Sequence, residues 1–149
     1  MGDLSHNFSR SEFECKCSYP ECIHTPVDIE LVMVIQDAID HFEHLESQRA
    51  PDLERIAAHI NSGYRCAKHN DDVTDGEGSG VHTFGIAADI WLEYVYPLGP
   101  RARIPQTDLA DYFEAKYPDK YGIGRYPRMT QSQERTHIDV RKQKARWTA

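Results

Sequence analysis

The chain has 149 residues, of which 40% are hydrophobic and 28% are charged, and this composition is ordinary for one globular domain. Its formal net charge of −7 argues against the concentrated basic surface of a nucleic-acid-binding protein. No apolar run approaches the roughly 18 residues of a membrane helix, and the first ten residues lack the cationic start and apolar core of an export signal. We therefore expect one domain over residues 1–149, a monomer made in the cytoplasm without a signal peptide, which binds neither nucleic acid nor membrane.

The N-terminal segment combines a helix start with a group of cysteines. Ser9 and Glu12 have the spacing of a capping box, which predicts a short helix. Three of the four cysteines lie in "CKCSYPECIH", and the fourth is Cys66. Because this spacing differs from that of a standard zinc ribbon, the sequence favours buried free thiols, or one disulfide to Cys66, over a structural zinc site. We expect residues 1–26 to pack on the domain.

The next predicted elements are a long helix and a strand. Between residue 28 and about residue 46, apolar residues recur every three or four positions, which predicts a helix with one buried stripe. That stripe consists of Leu31, Val32, Ile35, Ala38, Ile39, Phe42 and Leu45. In "LERIAAHINSGYR" the apolar residues alternate, as in a half-buried strand.

The remaining elements complete a mixed fold. "AKHNDDVTDGEGSG" predicts a brief helix and a loop, "GIAADIWLEY" a strand, and "PLGPRARIPQ" a connection. Thr107 is the expected N-cap of a further helix, and "YGIGRY" and "THIDVR" predict two short strands. The basic residues 141–147 are interpreted as a solvated tail, with attraction to an anionic polymer as the alternative. The pattern predicts an α+β fold with a small, mostly antiparallel sheet flanked by helices.

A histidine and an aspartate stand out within "GSGVHTFGIAADIW". Asp89 lies in an apolar run, and a buried carboxylate is costly unless a cation pairs with it. Gly85 separates it from His82, so the pair is expected to span a turn that enters a strand. Zinc would accept both side chains and a third ligand, which we assign to His137 in the last predicted strand. Taken alone, His82 and Asp89 also fit a hydrogen-bonded core pair.

Three segments together resemble a known family. In this order "SGYRCAKHN", "SGVHTFGIAADI" and "YGIGRYP...THIDVRKQKARW" resemble the zinc D-alanyl-D-alanine carboxypeptidase family, which includes the vancomycin-resistance dipeptidase and phage L-alanyl-D-glutamate endopeptidases. The resemblance runs from about Phe8 to Trp147. Its core is S-G-Y-R, then H-x-x-x-x-x-x-D, then a late H-x-D, and this combination is specific although each piece alone is weak.

The resemblance implies roles for individual residues. His82, Asp89 and His137 match the zinc ligands of the family. Arg65 in "SGYRC" matches the arginine that holds the substrate carbonyl or carboxylate and stabilises the oxyanion. The alternative for Arg65 is a structural ion pair with a loop aspartate, Asp71 or Asp72.

The resemblance also implies a general base. Several members carry an acid three residues before the last histidine ligand, which here is Glu134. In an unbroken strand residues 134 and 137 point to opposite faces, so Glu134 requires a bend or bulge before Thr136. Asp139 shares the face of His137 and is the rival, or else a partner that orients the imidazole or an arginine. One departure is Gly80, where many relatives have serine; here Ser79 lies one position earlier.

The implied function is a zinc-dependent peptidase that hydrolyses peptide bonds of bacterial peptidoglycan. A phage endolysin or virion-associated lytic endopeptidase is the first expectation, acting on the cell wall after release or as part of a phage particle. A D-alanyl-D-alanine carboxypeptidase is the first alternative. A non-catalytic phage structural or binding module that retains the fold is the second, and a purely structural metal would require a fourth protein ligand.

Overall fold

Three α-helices and six β-strands form the part of the chain that the structure, a computed structural model, describes: residues 2–24, 26–76, 80–127, 130 and 133–149. The helices are α1 (Ile29–Arg49), α2 (Ala67–Thr74) and α3 (Gln106–Lys116). The strands are β1 (Arg55–Ser62), β2 (Ala87–Val95), β3 (Ala102–Arg103), β4 (Gly122–Tyr126), β5 (Arg135–Asp139) and β6 (Ala145–Thr148). Two short 3-10 helices span Arg10–Phe13 and Val81–Phe84. The predicted capping box of Ser9 and Glu12 opens the first of them.

Helix α1 begins and packs as its sequence pattern predicts, except near its end. The side chain of Asp28 accepts a hydrogen bond from the backbone N–H of Glu30 and caps the helix. The predicted position of Leu45 in the buried stripe is wrong, because this side chain is 50% exposed. The buried position is taken by Glu46, whose carboxylate accepts a hydrogen bond from Tyr96 Oη at 2.6 Å. Within the described residues, no helix combines the length and apolarity needed to cross a membrane.

The strands form one sheet in the order β1-β2-β5-β4-β6, with β3 paired to β2. All pairs are antiparallel except β4 with β6, so the predicted α+β class with a mostly antiparallel sheet is confirmed. The interpretation of residues 141–147 as a solvated tail is wrong, because this segment contains most of β6. The connection after β2 likewise contains the two-residue strand β3.

The sheet has a helix-covered face and an open face. Ile90, Leu92, Ile123 and Ile138 are at most 1% exposed and belong to one hydrophobic cluster with the buried residues of α1 and α3. Each such side chain contributes about 1.5–3 kcal/mol through burial. Because successive strand residues point to opposite faces, Asp89 and His137 lie on the other face. The fold thus buries one face as its core and leaves the other for polar side chains.

Helix α3 begins one residue before its predicted cap. Thr107 was expected at the N-cap, but the helix starts at Gln106 and Pro105 occupies the cap position. Proline suits a helix start because the first helical N–H groups have no partner within the helix. The Gln106 carbonyl accepts a hydrogen bond from Thr136 Oγ1, which ties this end of α3 to β5.

Candidate metal centre

The register of the sheet places five residues in one row on its open face. Ser62 of β1 pairs with Asp89 of β2, and Asp89 pairs with His137 of β5. His137 then pairs with Gly124 of β4, and Gly124 with Trp147 of β6. Directly opposed residues of antiparallel strands have Cβ atoms about 4.5–5.5 Å apart, so Asp89 and His137 are neighbours by register alone. A Cβ on Gly124 would lie 2.5 Å from the Trp147 ring, so glycine leaves room for that ring beside His137.

His82 reaches the row from the short 3-10 helix that precedes β2. That helix lies between Gly80, with φ of 75°, and Gly85, with φ of 69°. Both residues adopt the left-handed conformation that glycine accepts without a Cβ penalty. The His82 side chain is buried, and its ring centroid lies 5.1 Å from that of His137. The left-handed turn explains a glycine at position 80; Ser79 lies outside the described residues.

The donor atoms of His82, Asp89 and His137 lie within 4.8 Å of one another. Asp89 Oδ2 is 3.7 Å from His82 Nε2, and Asp89 Oδ1 is 2.9 Å from His137 Nδ1. Two donors bound to one tetrahedral zinc ion are about 3.3 Å apart. The spacing and the donor types, two imidazoles and one carboxylate, therefore fit a zinc ion. Their assignment as metal ligands stays a prediction.

Each histidine has its other nitrogen in a hydrogen bond. His82 Nδ1 lies 2.7 Å from the carbonyl oxygen of Gly63, so it donates there and leaves Nε2 as the free donor atom. His137 Nε2 lies 2.8 Å from Asp139 Oδ2, and Asp139 also accepts hydrogen bonds from the Arg141 guanidinium. A hydrogen bond on the far nitrogen fixes the tautomer and the ring orientation of a metal-binding histidine.

The protonation of the three residues is set by burial and by their mutual contacts. Burial lowers the pKa of His82 to about 4, although the Asp89 carboxylate opposes that effect. Burial by itself lowers the pKa of His137, but hydrogen bonds to Asp139 and Asp89 outweigh it and raise that pKa. Burial likewise raises the pKa of Asp89, yet the His137 hydrogen bond outweighs it and holds the pKa below its usual value. Near neutral pH the site therefore offers a neutral His82 and an ionised Asp89.

The three residues lie in a cavity of about 770 Å³ on the open face of the sheet. Two arginines in its lining, Arg65 and Arg135, form no ion pair within the described parts of the chain. The Arg135 guanidinium lies over the Tyr126 ring at 4.5 Å, and both residues line the cavity. Although the net charge of the whole chain is negative, the guanidinium groups of Arg65 and Arg135 give the cavity positively charged groups for a bound ligand.

Arg65 has an unused hydrogen-bond donor. Its backbone N–H donates to the His82 carbonyl at 3.1 Å, which fixes the arginine beside the three donors. Its Nε atom is buried and has no hydrogen-bond partner among the described residues. Burial lowers the pKa of Arg65, opposed by the Asp89 carboxylate. Over the same residues no ion pair joins Arg65 to Asp71 or Asp72, so the predicted alternative of a structural ion pair is not seen.

Neither candidate base, Glu134 or Asp139, is among the residues that line the described cavity. Glu134 immediately precedes β5, and the Arg103 guanidinium donates to its carbonyl. Glu134 does not line the described cavity, and β5 pairs with β4 in regular register without a bulge. Asp139 is fully buried and lies behind His137, paired with Arg141. The structure thus places Asp139 where it orients His137 and does not bring Glu134 into the cavity.

Sequence reasoning missed three features of the site. Arg135 has the same parity as His137 in "ERTHIDVR", so strand alternation alone was a sufficient signal for its side chain. Trp147 lies in the segment predicted to be a tail, yet it lines the cavity, and Tyr126 lines the cavity as well. The parallel pairing of β6 brings Trp147 there, and no local sequence pattern announces a parallel pair of four residues.

An α+β fold that gathers two imidazoles, a carboxylate and an arginine in one cavity defines a candidate metalloenzyme. The family described as Peptidase M15 matches residues 6–139, and the chain belongs to this family. This confirms the resemblance to the zinc D-alanyl-D-alanine carboxypeptidase family. Its members are zinc metallopeptidases, so membership implies a metallopeptidase with peptidoglycan as its class of substrate. No curated protein and no solved structure matches the chain significantly.

Proposed function

We propose that this protein is a zinc-dependent peptidase that hydrolyses peptide bonds of bacterial peptidoglycan, as a phage endolysin or virion-associated lytic endopeptidase. It would act on the cell wall after release from the cytoplasm or as part of a phage particle. The observation that carries the proposal is the convergence of His82, Asp89 and His137 beside Arg65, whose buried Nε has no hydrogen-bond partner in the described part of the chain. Family membership supports the peptidase class. The lytic role is proposed because the family that the three motif segments resemble includes phage L-alanyl-D-glutamate endopeptidases.

The proposal assigns the metal to His82 Nε2, an Asp89 oxygen and His137 Nδ1. A zinc ion held there supplies a Lewis acid that polarises a carbonyl and activates water near neutral pH. Asp139 and the Gly63 carbonyl hold the two imidazoles in the tautomers that direct these atoms inward. Three protein ligands leave a coordination position open, as catalysis requires.

The cations of the cavity suit a peptide that carries carboxylates. Arg65 would donate through its free Nε to the scissile carbonyl or to a neighbouring carboxylate and stabilise the developing negative charge. Arg135, on the same strand face as His137, offers a second guanidinium for a carboxylate of the substrate. Peptidoglycan stem peptides carry free carboxylates, so the charge of the cavity matches this class of substrate.

Proton transfer is assigned to Glu134 on the family resemblance. A carboxylate at this position would accept the proton of the attacking water and pass it to the leaving amine. Glu134 lies outside the described cavity lining, so the segment before Arg135 would have to turn inward when substrate binds. Catalytic hydrogen bonds are often long in ligand-free enzymes and tighten only in the complex.

The test of the reaction is digestion of purified sacculi. We expect the zinc-loaded protein to release soluble muropeptides, and activity to disappear with a chelator and return with zinc. Mass spectrometry of the products identifies the bond that is cut. Cleavage within the stem or cross-link supports the endopeptidase, whereas release of terminal D-alanine alone would identify a carboxypeptidase. Turnover that is indifferent to chelation, or no turnover with about one zinc ion bound in the site, would reject the proposal.

Variants separate the roles within the site. Glu134→Gln should abolish turnover while the zinc content stays unchanged, and retained activity would exclude Glu134 as the base. Arg65→Gln should lower kcat/KM by about 10²–10³ if Arg65 stabilises the oxyanion. Arg101→Gln is the matched control, because Arg101 is half exposed, pairs with Glu93 and is not among the residues that line the described cavity.

A further inference from the structure

The four cysteines of the chain form a second cluster of potential metal ligands. All four are free thiols, and their Sγ atoms lie within 4.8 Å of one another. Cys15, Cys17 and Cys22 come from the irregular N-terminal segment, and Cys66 is the N-cap residue of α2. This cluster lies outside the proposed catalytic residues, and the proposed peptidase function does not use it.

The spacing of the sulfur atoms fits one metal ion shared by the four cysteines better than it fits a disulfide. Two thiolates on one tetrahedral zinc ion are about 3.8 Å apart, given a Zn–S distance of about 2.3 Å. Cys17 Sγ and Cys66 Sγ lie 3.7 Å apart, whereas a disulfide requires about 2.05 Å. A tetrahedral set of four sulfur donors is typical of zinc or iron sites, and a closed set of four protein ligands is typical of structural zinc.

Backbone N–H groups point at three of the four sulfurs. The N–H of Cys66 donates to Cys15 Sγ at 3.3 Å, and the N–H of His69 donates to Cys66 Sγ at 3.5 Å. The N–H of His24 donates to Cys22 Sγ at 3.4 Å, and the residue adopts a left-handed φ of 59° to do so. Four thiolates on a divalent cation carry a net charge of −2, and such donors, with the positive end of α2, offset it.

We propose that Cys15, Cys17, Cys22 and Cys66 bind a structural zinc ion through four thiolates. Binding displaces the thiol protons to solvent, and the ion joins the N-terminal segment to the start of α2. Cys66 directly follows Arg65, so the same ion holds the chain that carries this arginine into the catalytic cavity. The sequence spacing favoured buried free thiols or a single disulfide. The proposal instead gives all four thiolates one shared zinc ion.

The experiment measures the metal bound at the cysteine cluster in a protein whose catalytic metal ligands have been removed. In the double variant His82→Ala, His137→Ala, we expect about one zinc ion per chain by elemental analysis, against about two in the unaltered protein. X-ray absorption of this variant should show sulfur neighbours alone, at about 2.3 Å. After denaturation with a chelator and without reductant, all four cysteines should react with an alkylating agent. Because the catalytic ligands are removed, failure here is distinct from failure of the proposed peptidase function.

Further variants test the ligand set. Cys22→Ser, made in the double-variant background, should lose the remaining zinc. His69→Ala is the matched control, since the His69 ring lies 3.2 Å from Cys15 Sγ but is not a proposed ligand, and zinc should remain. Loss of zinc in His69→Ala would overturn the four-thiolate set. Bound iron, a metal-free protein with four reactive thiols, or a protein with only two reactive thiols would each overturn the proposed zinc site, whether or not Cys22→Ser folds.

Discussion

At the scale of single residues, the candidate metal centre depends on groups behind the ligands. His137 directs Nδ1 at Asp89 only because Asp139 engages its Nε2 atom, and Asp139 is itself held by Arg141. This carboxylate is completely buried, so an uncompensated charge there would be very costly. The hydrogen-bonded series Arg141–Asp139–His137 therefore acts as one unit that fixes the orientation of the His137 imidazole.

Replacing Asp139 with asparagine tests this unit. Asp139→Asn keeps the size of the side chain and removes the charge that holds His137, so we expect the dissociation constant for zinc at the catalytic site to rise about 10–100-fold. Competition with a chromophoric chelator measures it, and circular dichroism checks the fold. Asp111→Asn is the control, because Asp111 is 67% exposed and pairs with Arg125. An affinity within about twofold of the original would exclude an orienting role for Asp139.

The sequence indicated which side chains converge in the cavity better than it indicated their surroundings. An acid inside an apolar run and a histidine beside glycines are local signals, whereas His137 was assigned from the last predicted strand and from the family resemblance. The Gly63 carbonyl that fixes His82 carries no side-chain signal at all, so no sequence pattern announces it. Glu134 was named from a spacing seen in the family, and that spacing does not tell where its side chain lies in this fold.

At the scale of elements, β6 binds the last part of the chain into the molecule. Its Arg146 donates to the carbonyls of Tyr117 and Tyr121 at 2.8 and 2.6 Å, and it pairs with Glu114 of α3. Carbonyls at and beyond a helix end lack intrahelical partners, and this guanidinium satisfies them. The basic cluster that the sequence presents as a tail is thus partly a brace between β6 and α3.

Removal of this brace should destabilise the protein. Arg146→Ala leaves those carbonyls without their charged donor, so we expect the free energy of unfolding to fall by about 2 kcal/mol. Urea denaturation of the zinc-loaded protein measures the change. Lys144→Ala provides the comparison, because Lys144 is half exposed and approaches the same Glu114 only at 3.8 Å; its effect should stay below about 0.5 kcal/mol. Equal effects of the two substitutions would contradict the brace.

The pair β1–β2 carries a pH-dependent contact. Burial by itself raises the pKa of Glu93, but hydrogen bonds from Arg101 at 2.7 Å and with His59 at 3.0 Å outweigh it and lower that pKa. A lowered carboxyl pKa stabilises the fold above the ordinary value of 4.5, and this stabilisation is lost as the pH falls through the lowered pKa.

Glu93→Gln should therefore matter only when the carboxylate is charged. We expect a loss of about 0.5–1 kcal/mol at pH 7, because Arg101 is half exposed and solvent screens the pair, and a loss that shrinks as the pH falls through the lowered pKa. Thermal melts of both proteins across this range give the difference. Glu54→Gln, at an exposed position before β1, serves as control. A loss that persists unchanged in acid would show that packing, not charge, is responsible.

The elements with regular periodicity were predictable, and those defined by distant pairing were not. Helix α1 and strands β1, β2, β4 and β5 follow from apolar spacing, although Leu45 shows how a helical stripe drifts near its end. Strands β3 and β6 have two and four residues, too few for a period, and they exist because a neighbouring strand offers hydrogen bonds. Tertiary pairing overrode the local pattern there.

At the scale of the whole molecule, the sheet separates stability from chemistry. One face packs against α1 and α3, and the other carries the cavity with Arg65 and Arg135 in its lining. The cysteine cluster lies beside that cavity, where the irregular N-terminal segment meets α2. Metal ions at these two places would therefore stabilise the side of the fold that α1 and α3 do not cover.

Chelation should lower the thermal stability of the entire protein. Zinc at about 100 times its dissociation constant contributes about 2.7 kcal/mol per site, and about 1 kcal/mol shifts the Tm of a domain of this size by about 2–4 °C. We expect calorimetry to show a Tm lower by at least about 5 °C with a chelator, restored by zinc but not by magnesium, which prefers oxygen ligands. A Tm that does not respond to the chelator would contradict metal binding at either site.

The link between β1 and α2 joins these two regions through adjacent residues. The carbonyl of Gly63 receives the hydrogen bond of His82, Arg65 enters the cavity, and Cys66 belongs to the sulfur cluster. Each of these three roles belongs to one position. Adding or deleting one residue here would therefore displace Arg65 and Cys66 relative to the Gly63 carbonyl. We therefore expect a one-residue insertion to be tolerated in the exposed segment 97–100 but not within 63–66, where it would separate the Gly63 carbonyl from Arg65 and Cys66.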